Sequence, residues 1–210
     1  MASNNKKAAR VRGILYKHSC SIKKTSAAKT DDSEKTYGQP PKRFVVFGKH
    51  FARLSVCNFD ALQREWYPPR KGKNQPCSVD AVHLGDDGLW YAIEFKIGSV
   101  NSMNLVRKIH ETIMGFKENL KDVASAFATY EFYRSHLVYI VVASALDSLN
   151  SSEKTFYRTY QAYEEPWELD RYPLRWELKP LENVIVRRVY ELSPSMFARF
   201  AKKKNWYFGH

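Results

Sequence analysis

Two hydrophobic periods divide the middle of the chain. Residues 79–84 and 89–97 are rich in β-branched and aromatic side chains, and Gly85-Asp86-Asp87-Gly88 lies between them. Two such runs joined by turn residues, with glycine free to take positive φ, predict a β-hairpin. The period then changes. Leu105, Ile109, Ile113, Phe116, Leu120 and Val123 recur at spacings of three and four, which predicts a helix over 102–123 capped by Asn101 or Ser102. A second helical stretch passes Phe127 and Phe132. Residues 136–144 (HLVYIVVAS) are continuously apolar, as expected of a strand covered on both faces.

The flanks are less regular. Val11, Ile14, Leu15 and Tyr16 suggest a short strand over 11–16, residues 23–41 read as a linker, and 43–47 (RFVVF) as a strand. Residues 51–66 show no single period, but Asn58 can cap a short helix with Phe59 and Leu62 inward. Pro68 and Pro69 stop whatever precedes them. Residues 145–182 are rich in Tyr and Trp and are interrupted by Pro166, Pro173 and Pro180. Residues 183–192 (NVIVRRVYEL) read as a late strand. Ser193 and Pro194 open a last helix from 195 to about 204, with Ser193 as N-cap and Pro194 at the first position. Hairpin, helix and buried strand in this order give an α/β fold: a mixed central β-sheet flanked by helices. At 210 residues and 44% hydrophobic content, one domain over 43–210 buries a core unaided, behind a basic extension over 1–42.

Charge narrows the partners. The formal net charge is +12, which suits a polyanion such as DNA, RNA or an anionic membrane. Residues 1–43 hold eleven Lys/Arg against Asp31, Asp32 and Glu34, so +8 of the excess lies in that stretch, all but Arg43 in the extension, and says little about a groove on the core. The longest apolar run, 137–145, is strand-sized and too short to span a bilayer. Residues 1–25 contain no apolar core of a signal peptide. Cys20, Cys57 and Cys77 have no zinc or CxxC spacing, and a sparse odd set points to a reducing compartment, the cytoplasm. There is no GxSxG, Walker A or HExxH, and His83, His110 and His136 have no partner at metal-ligand spacing.

The chemistry concentrates in the hairpin. Asp80 stands between Val79 and Ala81, where an acid is costly unless paired or metal-bound. On the next strand the period of two puts Glu94 and Lys96 on one face and Ile93, Phe95 and Ile97 on the other. Pairing across the turn can bring Asp80 to Glu94. Two carboxylates at that range repel, and a hard divalent cation resolves the repulsion. Oxygen ligands alone suit Mg²⁺ or Mn²⁺ rather than zinc, with the Phe95 carbonyl as a third ligand. Lys96 can then orient or deprotonate a water, or stabilise charge on a phosphate.

Asp80, then Glu94-Phe95-Lys96 on the following strand, then a helix and a buried strand, resembles the PD-(D/E)xK nuclease superfamily of restriction-endonuclease-like fold. The likeness covers approximately residues 58–144, and departs from the pattern in having Val79, not proline, before Asp80. The resemblance implies that Asp80 and Glu94 hold Mg²⁺ or Mn²⁺, that Lys96 is the catalytic lysine, and that DNA more than RNA is cut. It also allows a homodimer. By the same resemblance an acid from the helix before the hairpin, Glu65 first and Asp60 second, is an accessory candidate. So is a polar residue on the helix after it: Asn104, Arg107 or Lys108, with Lys108 preferred. The basic loop carrying Arg70, Lys71 and Lys73 is placed to touch a phosphate backbone. The 202–207 tail (KKKNWY) joins charge to aromatics suited to single strands.

Three other readings stay open. Glu94 and Lys96 can be a solvated strand face with Asp80 paired locally. The same fold can bind nucleic acid without cutting it. The aromatic region 156–176 can be a protein-interaction surface.

Overall fold

The computed structural model describes residues 2–21, 54–68, 76–96, 100–143 and 176–206. In chain order its elements are helix α1 (Ala2–Tyr16), β1 (Ser19–Ser21), β2 (Ser55–Asn58), α2 (Phe59–Trp66), β3 (Ala81–Leu84), β4 (Trp90–Lys96), α3 (Ser102–Leu120), α4 (Tyr130–His136), β5 (Leu137–Ala143), β6 (Arg188–Leu192) and α5 (Pro194–Lys203). Short 3₁₀ turns at Ser125–Ala128 and Lys179–Leu181 precede α4 and β6.

Among the described residues the strands form one six-stranded mixed sheet in the order β1-β2-β3-β4-β5-β6. β1 to β4 are antiparallel neighbours, and β4-β5 and β5-β6 are parallel. The parallel step from β4 to β5 needs a long crossover, which α3 supplies. The fold is therefore α/β, with helices on both faces of the sheet.

Strand alternation sorts the core into two layers. Val82, Trp90, Ala92, Tyr139, Val141 and Val189 face a cluster built by α1 to α4, with Phe59, Leu105, Ile109, Phe116 and Tyr133 at its centre. Ala81, Tyr91, Ile93, Phe95, Ile140 and Leu192 face α5 through Phe197, Phe200 and Ala201. Ring centroids of Phe116 lie 4.9 Å from Phe59, 5.6 Å from Trp90 and 6.0 Å from Phe127. That spacing is the one at which tilted and edge-on rings attract.

The caps sit where the sequence puts them. Asn58 Oδ1 accepts the Ala61 N–H at 3.1 Å, Asn101 Oδ1 accepts the Asn104 N–H at 3.1 Å, and Ser193 Oγ accepts the Met196 N–H. Each satisfies a donor that the first helical turn leaves unpaired.

Several expectations change. Residues 11–16 are helical, not a strand: Val11 and Leu15 are buried one turn apart while Arg12 and Gly13 are exposed. α1 thus packs Val11 and Leu15 into the core and β1 pairs with β2, within the stretch expected as a basic extension. The late strand begins at Arg188, because Asn183 takes φ 58 and its N–H turns back to the Val186 carbonyl at 2.7 Å. Trp206, expected to offer a stacking surface, is buried against Tyr91, Phe200 and His83, and Lys204 pairs with Asp87. The linker 23–41, the strand 43–47, the loop bearing Arg70, Lys71 and Lys73, and the aromatic stretch up to residue 175 lie outside the described residues. No described helix is long and apolar enough to cross a membrane.

Candidate active site

β3 and β4 pair Ala81 with Ile93, which sets Asp80 opposite Glu94 at the open end of the hairpin. Asp80 and Glu94 are 0% and 1% exposed. Glu94 and Lys96 project toward α3, and Ile93 and Phe95 toward α5, as the period of two requires. The Phe95 N–H donates to Asp80 Oδ2 at 2.8 Å and ties one carboxylate to the strand that carries the other.

Two ammonium groups meet these carboxylates. Lys96 Nζ lies 2.9 Å from Glu94 Oε1. Lys108 Nζ, coming down from α3, lies 2.7 Å and 3.0 Å from the two Glu94 oxygens and 3.4 Å from Asp80 Oδ1. One cationic nitrogen therefore collects oxygens from both acids. Burial, and then the charge of Asp80, push the Glu94 carboxyl up to about 7; Lys108 and Lys96 pull the other way. Tyr139, beneath the site on β5, has its hydroxyl held well above the ordinary range by burial first and by Glu94 and Asp80 next. It donates to the Leu105 carbonyl at 3.2 Å.

One face of α3 builds the site. Lys108, Glu111 and Thr112 stand at i, i+3 and i+4, and so share a face. Lys108 reaches the acids. Thr112 Oγ1 accepts the Val79 N–H at 3.1 Å, and Glu111 accepts the Cys77 N–H. The segment leading into Asp80 is thus docked onto the helix that supplies Lys108. Asp60 adds a further hold by accepting the Ser78 hydroxyl at 2.7 Å, and the Asp80 carbonyl accepts the Phe59 N–H. Of the helix candidates, Lys108 faces inward. Arg107 is exposed beside Glu111, and Asn104 is exposed. Glu65 is directed elsewhere: Lys17 and His18 each contact its carboxylate at 2.8 Å, and it sits outside the cluster. The position of the turn after α1, invisible along the sequence, decides this.

Sequence reasoning missed three residues. Glu111 and Thr112 were signalled only by their spacing from Lys108. Glu191 is the third. β5 pairs Val141 with both Glu94 and Glu191, so Glu191 stands two strands from Glu94 on the same face, 6% exposed, accepting the Trp176 N–H at 3.1 Å. The signal was an acid inside the apolar strand.

The donor set fits a hard divalent cation: two buried carboxylates already converge on one positive nitrogen, and all available ligands are oxygen. Among the described residues no group of three or more His, Cys, Asp or Glu is placed to hold a metal. Such a cation would thus complete its shell with backbone carbonyl, water or phosphate, as Mg²⁺ commonly does. A groove of about 700 Å³ runs along α3 from Arg107 and Glu111 to Glu118, starting within a turn of Lys108. Comparison with protein-family models, curated proteins and solved structures finds no match.

Proposed function

We propose that this chain is a metal-dependent nuclease that hydrolyses phosphodiester bonds of DNA, with Asp80 and Glu94 as the Mg²⁺ or Mn²⁺ ligands and Lys96 beside the attacking water. The observation that carries the reading is the convergence of Asp80 Oδ1 and Glu94 Oε1 on a single cationic nitrogen, with a second lysine 2.9 Å from the same glutamate. Bound Mg²⁺ or Mn²⁺ supplies charge stabilisation on the phosphate and an acidified water. Asp80 is oriented for that role by the Phe95 N–H, and Glu94 by its place on β4, so both ligands are fixed before substrate arrives. Lys96 extends from the same face of β4 and is partly exposed, which puts its ammonium between the buried acids and solvent, where a phosphate approaches. The groove along α3 has a volume in the range of small-ligand sites and is lined by Arg107, Glu111 and Glu118, next to the face that carries Lys108. A hairpin, a crossover helix and a parallel strand around these residues support the nuclease-like likeness. The basic chain adds salt-sensitive, sequence-independent affinity for the polyanion.

One observation favours a second reading. Two lysines balance two carboxylates, so the cluster is neutral without a metal, as a non-catalytic nucleic-acid-binding module on this fold would need. Cleavage of plasmid and single-stranded DNA in Mg²⁺, Mn²⁺ or EDTA separates the two. Wild type is expected to cut only with metal, and Glu94→Ala and Lys96→Ala to lose about a hundredfold or more. Wild type that cuts neither DNA nor a parallel RNA substrate overturns the nuclease reading. Metal-independent binding without cutting establishes the module instead.

A further inference from the structure

We propose that Lys108 is the resident counter-ion of the metal site, so that its ammonium and a divalent cation compete for the same two carboxylates. The inference rests on the metal site proposed above and adds how that site is regulated.

Lys108 Nζ makes contacts of 2.7 Å and 3.0 Å to Glu94 and 3.4 Å to Asp80. Mg²⁺ draws carboxylate oxygens to about 2.0–2.1 Å. A position that reaches both acids at that range falls on the space the ammonium fills, and two cations do not share it. Lys96 differs: it contacts Glu94 Oε1 from the same strand. Removing Lys108 therefore vacates the shared position, whereas removing Lys96 changes mainly the local charge.

The geometry also allows exchange. Lys108 arrives on a flexible four-carbon stem. The α3 backbone beneath it is anchored separately by Thr112 and Glu111 to Val79 and Cys77. The ammonium can leave while the helix, Asp80 and Glu94 stay in place. In the metal-free protein Lys108 offsets a repulsion between acids that are both buried. The apparent metal affinity is then the intrinsic affinity reduced by the fraction of molecules whose lysine has withdrawn.

Calorimetric Mn²⁺ titration of the full chain tests this, on wild type, Lys108→Met, Lys108→Arg, Lys96→Met and Glu94→Ala. A hydrogen bond to a charged group typically corresponds to a factor of ten or more in an equilibrium. Lys108→Met is accordingly expected to bind Mn²⁺ at least about tenfold more tightly than wild type. Lys108→Arg, which keeps the charge, is expected to stay near wild type, and Lys96→Met to gain less than Lys108→Met. The Mn²⁺-induced rise in melting temperature should be larger in Lys108→Met than in wild type. Lys108→Gln provides the same comparison if the Met variant does not fold in EDTA. Equal gains in the two Met variants overturn competition for a position in favour of a simple charge effect. No gain in Lys108→Met or Lys108→Gln, while Glu94→Ala abolishes binding, overturns the inference and leaves the metal site standing. Absence of Mn²⁺ binding in wild type and in every lysine variant removes both.

Discussion

Glu94→Gln isolates the energetic cost of the site. The substitution keeps the side chain's shape and removes its charge. In the folded protein burial, and then Asp80, raise the Glu94 carboxyl from 4.5 to about 7. A carboxyl whose pKa rises on folding contributes stability that is full below its unfolded pKa and is lost as pH rises through its folded one. The gap between 4.5 and about 7 is worth on the order of 3 kcal/mol. Urea unfolding followed by tryptophan fluorescence, in EDTA from pH 4.5 to 8.5, reads it directly. Relative to Glu94→Gln, wild type is expected to lose on the order of 3 kcal/mol between the two ends of that range. In a chain of 210 residues this is roughly 6–12 °C in melting temperature. Glu94→Gln is therefore the more stable protein at pH 8 in EDTA. Mg²⁺ should narrow or reverse the difference, because a cation bound to the ionised acids offsets their repulsion. Parallel pH profiles, or a Gln variant less stable than wild type at pH 8 in EDTA, would refute the reasoning: the lysines would then outweigh burial and Asp80.

Two further outcomes follow from groups away from the acids. Gln63 is 3% exposed and, among the described residues, neither its side-chain oxygen nor its nitrogen has a hydrogen-bond partner, so Gln63→Met should stabilise by about 1–3 kcal/mol, seen as a higher urea midpoint at unchanged slope; a lower midpoint would show that the amide is satisfied in solution. His83 packs 4.5 Å from Trp206, and burial lowers its pKa against the pull of the Ser55 carbonyl, Asp86 and Asp87. A depressed histidine gives stability that is present above its unfolded pKa and is lost as pH falls, so wild type should lose more melting temperature than His83→Phe between pH 7.5 and 5.5, and equal losses would sink the argument.

Much of this site was readable along the chain because its parts are local. The hairpin needs only two β-rich runs and a glycine turn. Glu94 and Lys96 share a face because strand period is two, whatever the rest of the fold does. The helix over Ser102–Leu120 and the caps Asn58, Asn101 and Ser193 are also local, and all are seen. The errors came where one local pattern had two readings. Val11, Ile14 and Leu15 fit a strand by composition and a helix by spacing, and burial against the core chose the helix. Trp206 beside three lysines suited an exposed tail equally well, until packing on Tyr91 and Phe200 enclosed it.

By itself the sequence determined the α/β class and the strand face that Glu94 shares with Lys96, since each depends on residues few positions apart; the hairpin register set Asp80 opposite Glu94. Tertiary structure alone decided which remote side chains join. The parallel crossover sets how α3 is rotated over β4, and that rotation turns Lys108 into the acids and leaves Arg107 in solvent. The turn between α1 and β1 brings Lys17 and His18 to Glu65 and holds it away from the acids. The β5 register aligns Glu191 with Glu94. Periodicity specifies a face of each element. Which faces meet is set by burial summed over the whole core, and no short window of sequence contains that sum.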